Sequence, residues 1–139
     1  MIVRGMGRRR TRRAPVRRAL GTVAPLVALL ALAGCGASTT VRVAEPSGTV
    51  HANPGDTLVL TFGASPGIGY AWTLHAIVPA GSLSLVSDRF QADNPGAIGG
   101  SGSDIFTFKA HRTGTVKLTF RHYFRGRMLE QRDVVVRLG

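Results

Sequence analysis

The stretch IFTFKAHRTGTVKLTF, residues 105–120, decides the fold of this chain. Apolar and polar side chains alternate over residues 105–110 and again over 116–121. A period of two places the apolar side chains on one face of a β-strand and the polar ones on the other. The Thr113-Gly114 pair between the two runs is a turn signal. The stretch therefore predicts two successive strands, each with one buried face.

Short alternating runs continue on both sides of this stretch, separated by Gly and Pro. We find no internal repeat and no amphipathic helix. The runs predict strong strands at Leu58–Phe62 and Val134–Leu138, and weaker ones at Val41–Ala44, Tyr70–Ala76 and Leu83–Phe90. Seven short strands in about 100 residues are typical of an all-β, immunoglobulin-like antiparallel β-sandwich of seven to eight strands. Loops cluster at the ends of such a sandwich, so function is expected there.

The first 34 residues have a different composition. Eight of the 18 Lys and Arg residues lie in the first 18 positions and carry most of the formal charge of +11, so the charge does not predict nucleic-acid binding. The apolar stretch 19–33 that follows is interrupted by Gly21 and Pro25. It is shorter than the roughly 20 residues that a membrane-spanning helix needs. Residues 1–34 are predicted to be a signal peptide for export.

The sequence Leu32-Ala33-Gly34-Cys35 resembles the bacterial lipobox. Cys35 is the only cysteine, so no intrachain disulfide can form, and it stands where the thiol would take its lipid. We therefore predict a lipidated Cys35, with palmitate among its acyl chains, a short tether over 35–40 and a folded domain over 41–139. The protein is expected to be exported and membrane-anchored at the cell envelope. Paired arginines leave Sec and twin-arginine export both open.

Three connections carry the residues of interest. They are a first loop, ASPGIGYAW (64–72), a second loop, NPGAIGGSGS (94–103), and a third loop, RHYFRG (121–126). Trp72 is expected in the core, whereas Tyr70 could cap the core or face a partner. The glycines of the second loop could form only a flexible connection, and Tyr123 and Phe124 could be ordinary strand residues.

Together the three loops resemble those of the chagasin family of cysteine-protease inhibitors. That family carries an Asn-Pro-Thr-Thr-Gly-aromatic-x-Trp loop, a Gly-x-Gly-Gly loop and an Arg-Pro-Trp loop, in that order. Here the matching segments are 65–72, 99–102 and 122–124. Ser65 replaces the Asn, Gly67-Ile68 replaces the two Thr, and His122-Tyr123-Phe124 replaces Arg-Pro-Trp. The resemblance covers about residues 50–138.

The resemblance implies a reversible inhibitor of papain-like cysteine proteases whose three loops enter the active-site cleft as a wedge. It also implies a monomer with no cofactor, no catalytic residue and no metal. The implied protease-binding residues are Ser65, Pro66, Gly67, Ile68, Gly69, Tyr70, Gly99, Gly100, Ser101, Gly102, His122, Tyr123 and Phe124. Pro66 fixes its own φ, and the flanking glycines allow a tight backbone close to a partner surface.

Other classes of function fit the residues less well. The four histidines show no spacing typical of metal ligands, and Ser65 does not lie in a nucleophile elbow. The alternative is an immunoglobulin-like envelope lipoprotein that binds proteins without inhibiting a protease. Arginines near the third loop form either a solvated face or a surface for an acidic protease rim or anionic lipid headgroups; they are Arg121, Arg125, Arg127 and Arg132.

Overall fold

The structure is a computed structural model that describes residues 36–139. It contains eight strands and one 3-10 turn, Pro66–Ile68, so the predicted all-β class is confirmed. The strands are β1 (Thr40–Ala44), β2 (Gly48–Ala52), β3 (Thr57–Ala64), β4 (Tyr70–Val78), β5 (Leu83–Ala92), β6 (Gly102–Ala110), β7 (Gly114–Phe124) and β8 (Arg127–Leu138). Between residues 36 and 139 no helix has the length and apolar character needed to cross a membrane.

The strands form two four-stranded sheets with the orders β1-β3-β6-β5 and β2-β8-β7-β4. Four of the strand pairs are antiparallel, as predicted. The two N-terminal strands depart from that pattern, because β1 pairs with β3 and β2 pairs with β8 in parallel. Each of these pairs lies at a sheet edge, so the antiparallel centre of the sandwich is preserved.

The core lies between the sheets and is built from the predicted alternation. Phe62, Phe106 and Phe120 lie at its centre, with ring centroids 4.7 to 5.8 Å apart. Leu58, Leu60 and further side chains from β7 and β8 surround them. Each fully buried side chain of this size contributes about 2 kcal/mol of transfer free energy. Burial of these side chains is therefore the main interaction between the two sheets.

The strand predictions differ from the structure in three places. β2 was not predicted, because only Val50 and Ala52 of its five residues are buried. β8 begins at Arg127, seven residues earlier than expected, because the two apolar residues of its first half, Met128 and Leu129, are adjacent and give no alternation. β7 continues to Phe124, so the predicted third loop is two-thirds strand and its turn contains only Arg125 and Gly126.

The two ends of the sandwich are distinct. We call the end that carries the first loop, the second loop and the Arg125–Gly126 turn the loop end. The opposite end, where β1, β3 and β7 begin and β6 and β8 finish, is the far end. Thr39 enters the domain at the far end, where its N–H donates to Asp56 Oδ1 at 2.8 Å. The predicted signal peptide and lipidated Cys35 lie outside the described residues.

Candidate functional site

The first loop is a closed unit of backbone hydrogen bonds. Ser65 and Tyr70 exchange two bonds across it, Ser65 N–H to Tyr70 O at 3.0 Å and Tyr70 N–H to Ser65 O at 3.1 Å. Between them Pro66 begins a 3-10 turn, and Gly69 ends it with a φ of 104°. That left-handed conformation strongly favours glycine. The loop is therefore held in one shape before any partner arrives.

The second loop connects β5 to β6 and is tied at its neck. Asp93 N–H donates to Ser101 O at 3.0 Å, and Ser101 Oγ donates to Asp93 Oδ2 at 2.9 Å. Beyond this neck the loop projects outward, and the side chain of Ile98 is fully exposed at its tip. Gly102 follows in β6, where a Cβ atom would lie 2.2 Å from Gln91 O, so only glycine fits.

Backbone contacts place the first loop between its two neighbours. A Cβ atom on Gly67 would lie 2.8 Å from Gly99 Cα, so these two backbones touch. On the other side, Arg125 N–H donates to Gly69 O at 2.9 Å. The three loops predicted from sequence are thus brought together into one continuous surface.

The third predicted segment contributes mainly from beneath this surface. His122 and Phe124 lie on the face of β7 that continues the core, opposite Trp72 and Tyr70 of β4. The Trp72 and His122 rings stack at 4.6 Å with an interplanar angle of 4°, and the Tyr70 and Phe124 rings stack at 4.5 Å. Trp72 is buried, as expected. Tyr123 lies on the other face of the sheet, so the three residues do not act as one loop tip.

Asp104 lies beneath the loops and was missed by the sequence analysis. Its Oδ2 accepts the Trp72 backbone N–H at 2.7 Å and so joins β6 of one sheet to the edge strand β4 of the other. Burial raises the pKa of this carboxyl above its ordinary value, and Asp88 raises it further, while the Trp72 N–H and His122 lower it. The available signal was the alternation itself, which places residue 104 inward with Phe106.

Arg132 also supports the site and was predicted only as part of a surface cluster. Its guanidinium lies 4.7 Å from the centroid of the Trp72 ring. It forms ion pairs with Glu45 at 3.0 Å and Glu130 at 2.9 Å. The charge of Arg132 is therefore balanced by two carboxylates of the same domain.

The first and second loops project from the loop end and carry exposed apolar side chains. Ile68 of the first loop is 49% exposed, beside Pro66 and Gly67, and Ile98 of the second loop extends further out. A cleft of about 580 Å³ lies at the far end instead, lined in part by Thr39, His51 and Arg137. Within residues 36–139 no group of His, Cys, Asp and Glu could hold a metal ion. The loop end is therefore a projecting surface, whereas the cleft lies at the far end.

Comparison with known proteins gives one family. A family model described as Chagasin family peptidase inhibitor I42 matches residues 51–130. No curated protein matches the chain.

Three solved structures share the fold. This chain is similar to the cysteine protease inhibitor EhICP2 from Entamoeba histolytica, with 20% identity and a TM-score of 0.61 over 73% of this chain and 97% of that chain. It is also similar to amebosin, with 18% identity and a TM-score of 0.56 over 73% of this chain and 98% of that chain. The third is PbICP-C in complex with falcipain-2, with 13% identity and a TM-score of 0.55 over 73% of this chain and 100% of that chain.

Proposed function

Since the chain belongs to the chagasin family of peptidase inhibitors, we propose that it inhibits papain-like cysteine proteases by inserting its loop end into the active-site cleft. The first loop lies in the middle of that surface and approaches the catalytic residues, while its two neighbours contact the walls of the cleft. One copy binds one protease, and the inhibitor performs no chemistry.

The observation that carries this proposal is the contact of the first loop with both of its neighbours. The Gly67–Gly99 contact and the Arg125–Gly69 hydrogen bond make one surface out of three separate connections. A surface ordered before binding loses little conformational entropy on docking. The exposed Ile68 and Ile98 side chains supply apolar area to be buried in the complex.

The predicted binding residues divide into two roles in this proposal. Pro66, Gly67 and Ile68 contact the protease directly, together with the exposed part of the second loop. Tyr70, His122 and Phe124 hold the first loop from below through their stacked rings.

The test is an inhibition titration of papain with residues 36–139, comparing Ile68→Glu with Val86→Glu. Both wild-type side chains are exposed, 49% and 63%, but Val86 lies on β5 away from the loop end. We expect Ile68→Glu to weaken inhibition at least about 100-fold, because a buried unpaired charge costs several kcal/mol. Val86→Glu should inhibit like the wild type, and both should melt at the wild-type temperature.

Full inhibition by Ile68→Glu would remove the first loop from the cleft. A folded wild-type domain that inhibits neither papain nor a cathepsin would instead favour a binding module without inhibitory activity.

We further propose that Cys35 anchors the mature protein to a membrane of the cell envelope. The support is geometric, since Thr39 enters the domain at the far end and leaves the loop end free. The full chain expressed in a bacterium should incorporate an alkyne-labelled palmitate and remain with the membrane fraction. Cys35→Ala should abolish the label, and a label retained by this variant would contradict the anchor.

A further inference from the structure

The turn between β7 and β8 has an unusual residue at its tip. Arg125 and Gly126 connect the strands with φ values of 47° and 81°. Two-residue turns with positive φ at both positions favour Asn-Gly, Asp-Gly or Gly-Gly, because a side chain with a Cβ is strained there. An arginine at the first position therefore costs stability that a common turn sequence would not.

One other described residue that is not glycine has a positive φ, and the contrast is informative. Glu45 has a φ of 48°, and its carboxylate accepts the Gly63 N–H and forms an ion pair with Arg132. The strained backbone of Glu45 is therefore compensated by contacts that stabilise the fold. Arg125 forms no salt bridge within residues 36–139, so its charge has no comparable internal use. A strained residue at a functional surface points to a role in that function.

The guanidinium of Arg125 is nevertheless held in place. The Cγ atom of Arg125 occupies the space beside Gly69, where a Cβ atom on residue 69 would lie only 2.7 Å away. Its Cζ lies 5.2 Å from the centroid of the Phe124 ring. Arg127 pairs with Phe124 across the hairpin, on the same face, and is exposed. Two cations without a salt-bridge partner among residues 36–139 thus lie around Phe124 at the hairpin, and Arg125 contacts the first loop.

We infer that Arg125 and Arg127 recognise carboxylates on the partner, and that the protease this chain inhibits has an acidic rim on the wall of its cleft that meets the hairpin. This inference rests on the proposed function. Charges at the rim of an interface change the association rate and the choice of partner more than they change the affinity. The hairpin therefore selects among papain-like proteases, and the apolar first loop binds any of them.

The experiment uses two papain-like proteases chosen from their structures, one with an acidic and one with a basic cleft rim. Wild type, Arg125→Glu, Arg127→Glu and Arg125→Gly are compared at low and high salt. The matched control is Arg112→Glu, an equal charge change at an exposed position between β6 and β7 at the far end. Arg125→Gly removes the charge and suits the left-handed position, so it keeps the test valid should Arg125→Glu disturb the turn.

We expect the association rate with the acidic-rimmed protease to fall about tenfold for Arg125→Glu and less for Arg125→Gly, with the difference shrinking at high salt. The basic-rimmed protease should be inhibited better by the Glu variants than by wild type. Equal effects on both proteases, or an equal effect of Arg112→Glu, would overturn the inference.

A second measurement separates lipid from protein. Binding to vesicles of phosphatidylglycerol and phosphatidylcholine that depends on Arg125, with unchanged protease rates, would assign the hairpin to lipid headgroups and overturn the inference. Wild type that inhibits neither protease would overturn the proposed function itself, and the inference with it.

Discussion

Two buried aspartates, one at each end of the sandwich, show how differently the two ends are built. Asp56 at the far end is 4% exposed and accepts backbone N–H groups from Thr39 and Asn53, both at 2.8 Å. Those two bonds lower its pKa below its ordinary value near 3.8. Asp104 at the loop end is 7% exposed and accepts one bond, from Trp72, and burial raises its pKa.

The far end is therefore built for stability, whereas the loop end exposes candidate binding residues at some cost in stability. At the far end each backbone donor near Asp56 has an acceptor. The loop end instead contains a desolvated carboxylate, a left-handed Arg125 and a buried His122 Nε2 atom that has no hydrogen-bond partner among residues 36–139. Costs of this kind are typical of functional surfaces, which the rest of the fold must offset.

The largest effect that tests this contrast is expected at the far end. Asp56→Ala leaves the N–H groups of Thr39 and Asn53 without their acceptor, so the melting temperature should fall by about 10 °C. Inhibition measured at 25 °C should stay within about twofold of wild type, because the loop end is untouched. Differential scanning calorimetry and the papain titration give the two values.

The control for that variant is Asp88→Ala, which removes an exposed carboxylate from β5. It should shift the melting temperature by less than about 2 °C. An Asp56→Ala protein that melts like wild type, or one that loses inhibition at 25 °C, would break the division between the two ends.

A smaller effect is expected from Asp104→Asn, and it should depend on pH. The folded pKa of Asp104 is raised, so the wild type loses stability as the pH rises from about 3.8 through that folded pKa. The asparagine can still accept the Trp72 N–H but has no charge to bury. Relative to wild type, Asp104→Asn should therefore gain stability in urea unfolding as the pH rises above about 3.8.

The pKa of Asp56 is shifted in the opposite direction from that of Asp104, so the two residues differ in how their contribution to stability depends on pH. Its folded pKa is lowered, so its stabilisation is present above pH 4 and is lost as the pH falls through that lower value. Asp104→Asn that gains most below pH 4 would contradict the assignment for the loop end.

The sequence predicted the parts of the fold that depend on alternation. β3, β6 and β7 carry large apolar side chains at alternate positions, and their buried faces are confirmed. β2 and the first half of β8 were missed because pairing with a neighbour, rather than a buried face, makes them strands. The parallel pairing of β1 and β2 depends on how the two sheets pack, which no local pattern contains.

The candidate site was predicted in outline from the three loops. What the sequence could not supply was their contact through Gly67, Gly69 and Gly99, because a glycine does not reveal which backbone lies against it. The third segment was predicted as a loop, with the alternative that Tyr123 and Phe124 are ordinary strand residues left open, and the structure confirms the strand. A period of two counted from Phe120 puts His122 and Phe124 on the core face. Gly126 was the available signal for the short turn, whereas an arginine before it is not typical of such turns. The protease-binding role of the residues stays a prediction.

Trp72 is the only tryptophan in the chain, and it lies directly behind the first loop, stacked on His122 and beneath Arg132. The indole of Trp72 is therefore a single spectroscopic probe close to the candidate binding surface. Replacing it with a fluorinated tryptophan during expression would give a single ¹⁹F resonance, which no unlabelled protease obscures. Ring currents from His122 and Phe62 make that resonance sensitive to small movements of the first loop. A change in its chemical shift would therefore report binding of the loop end to a protease.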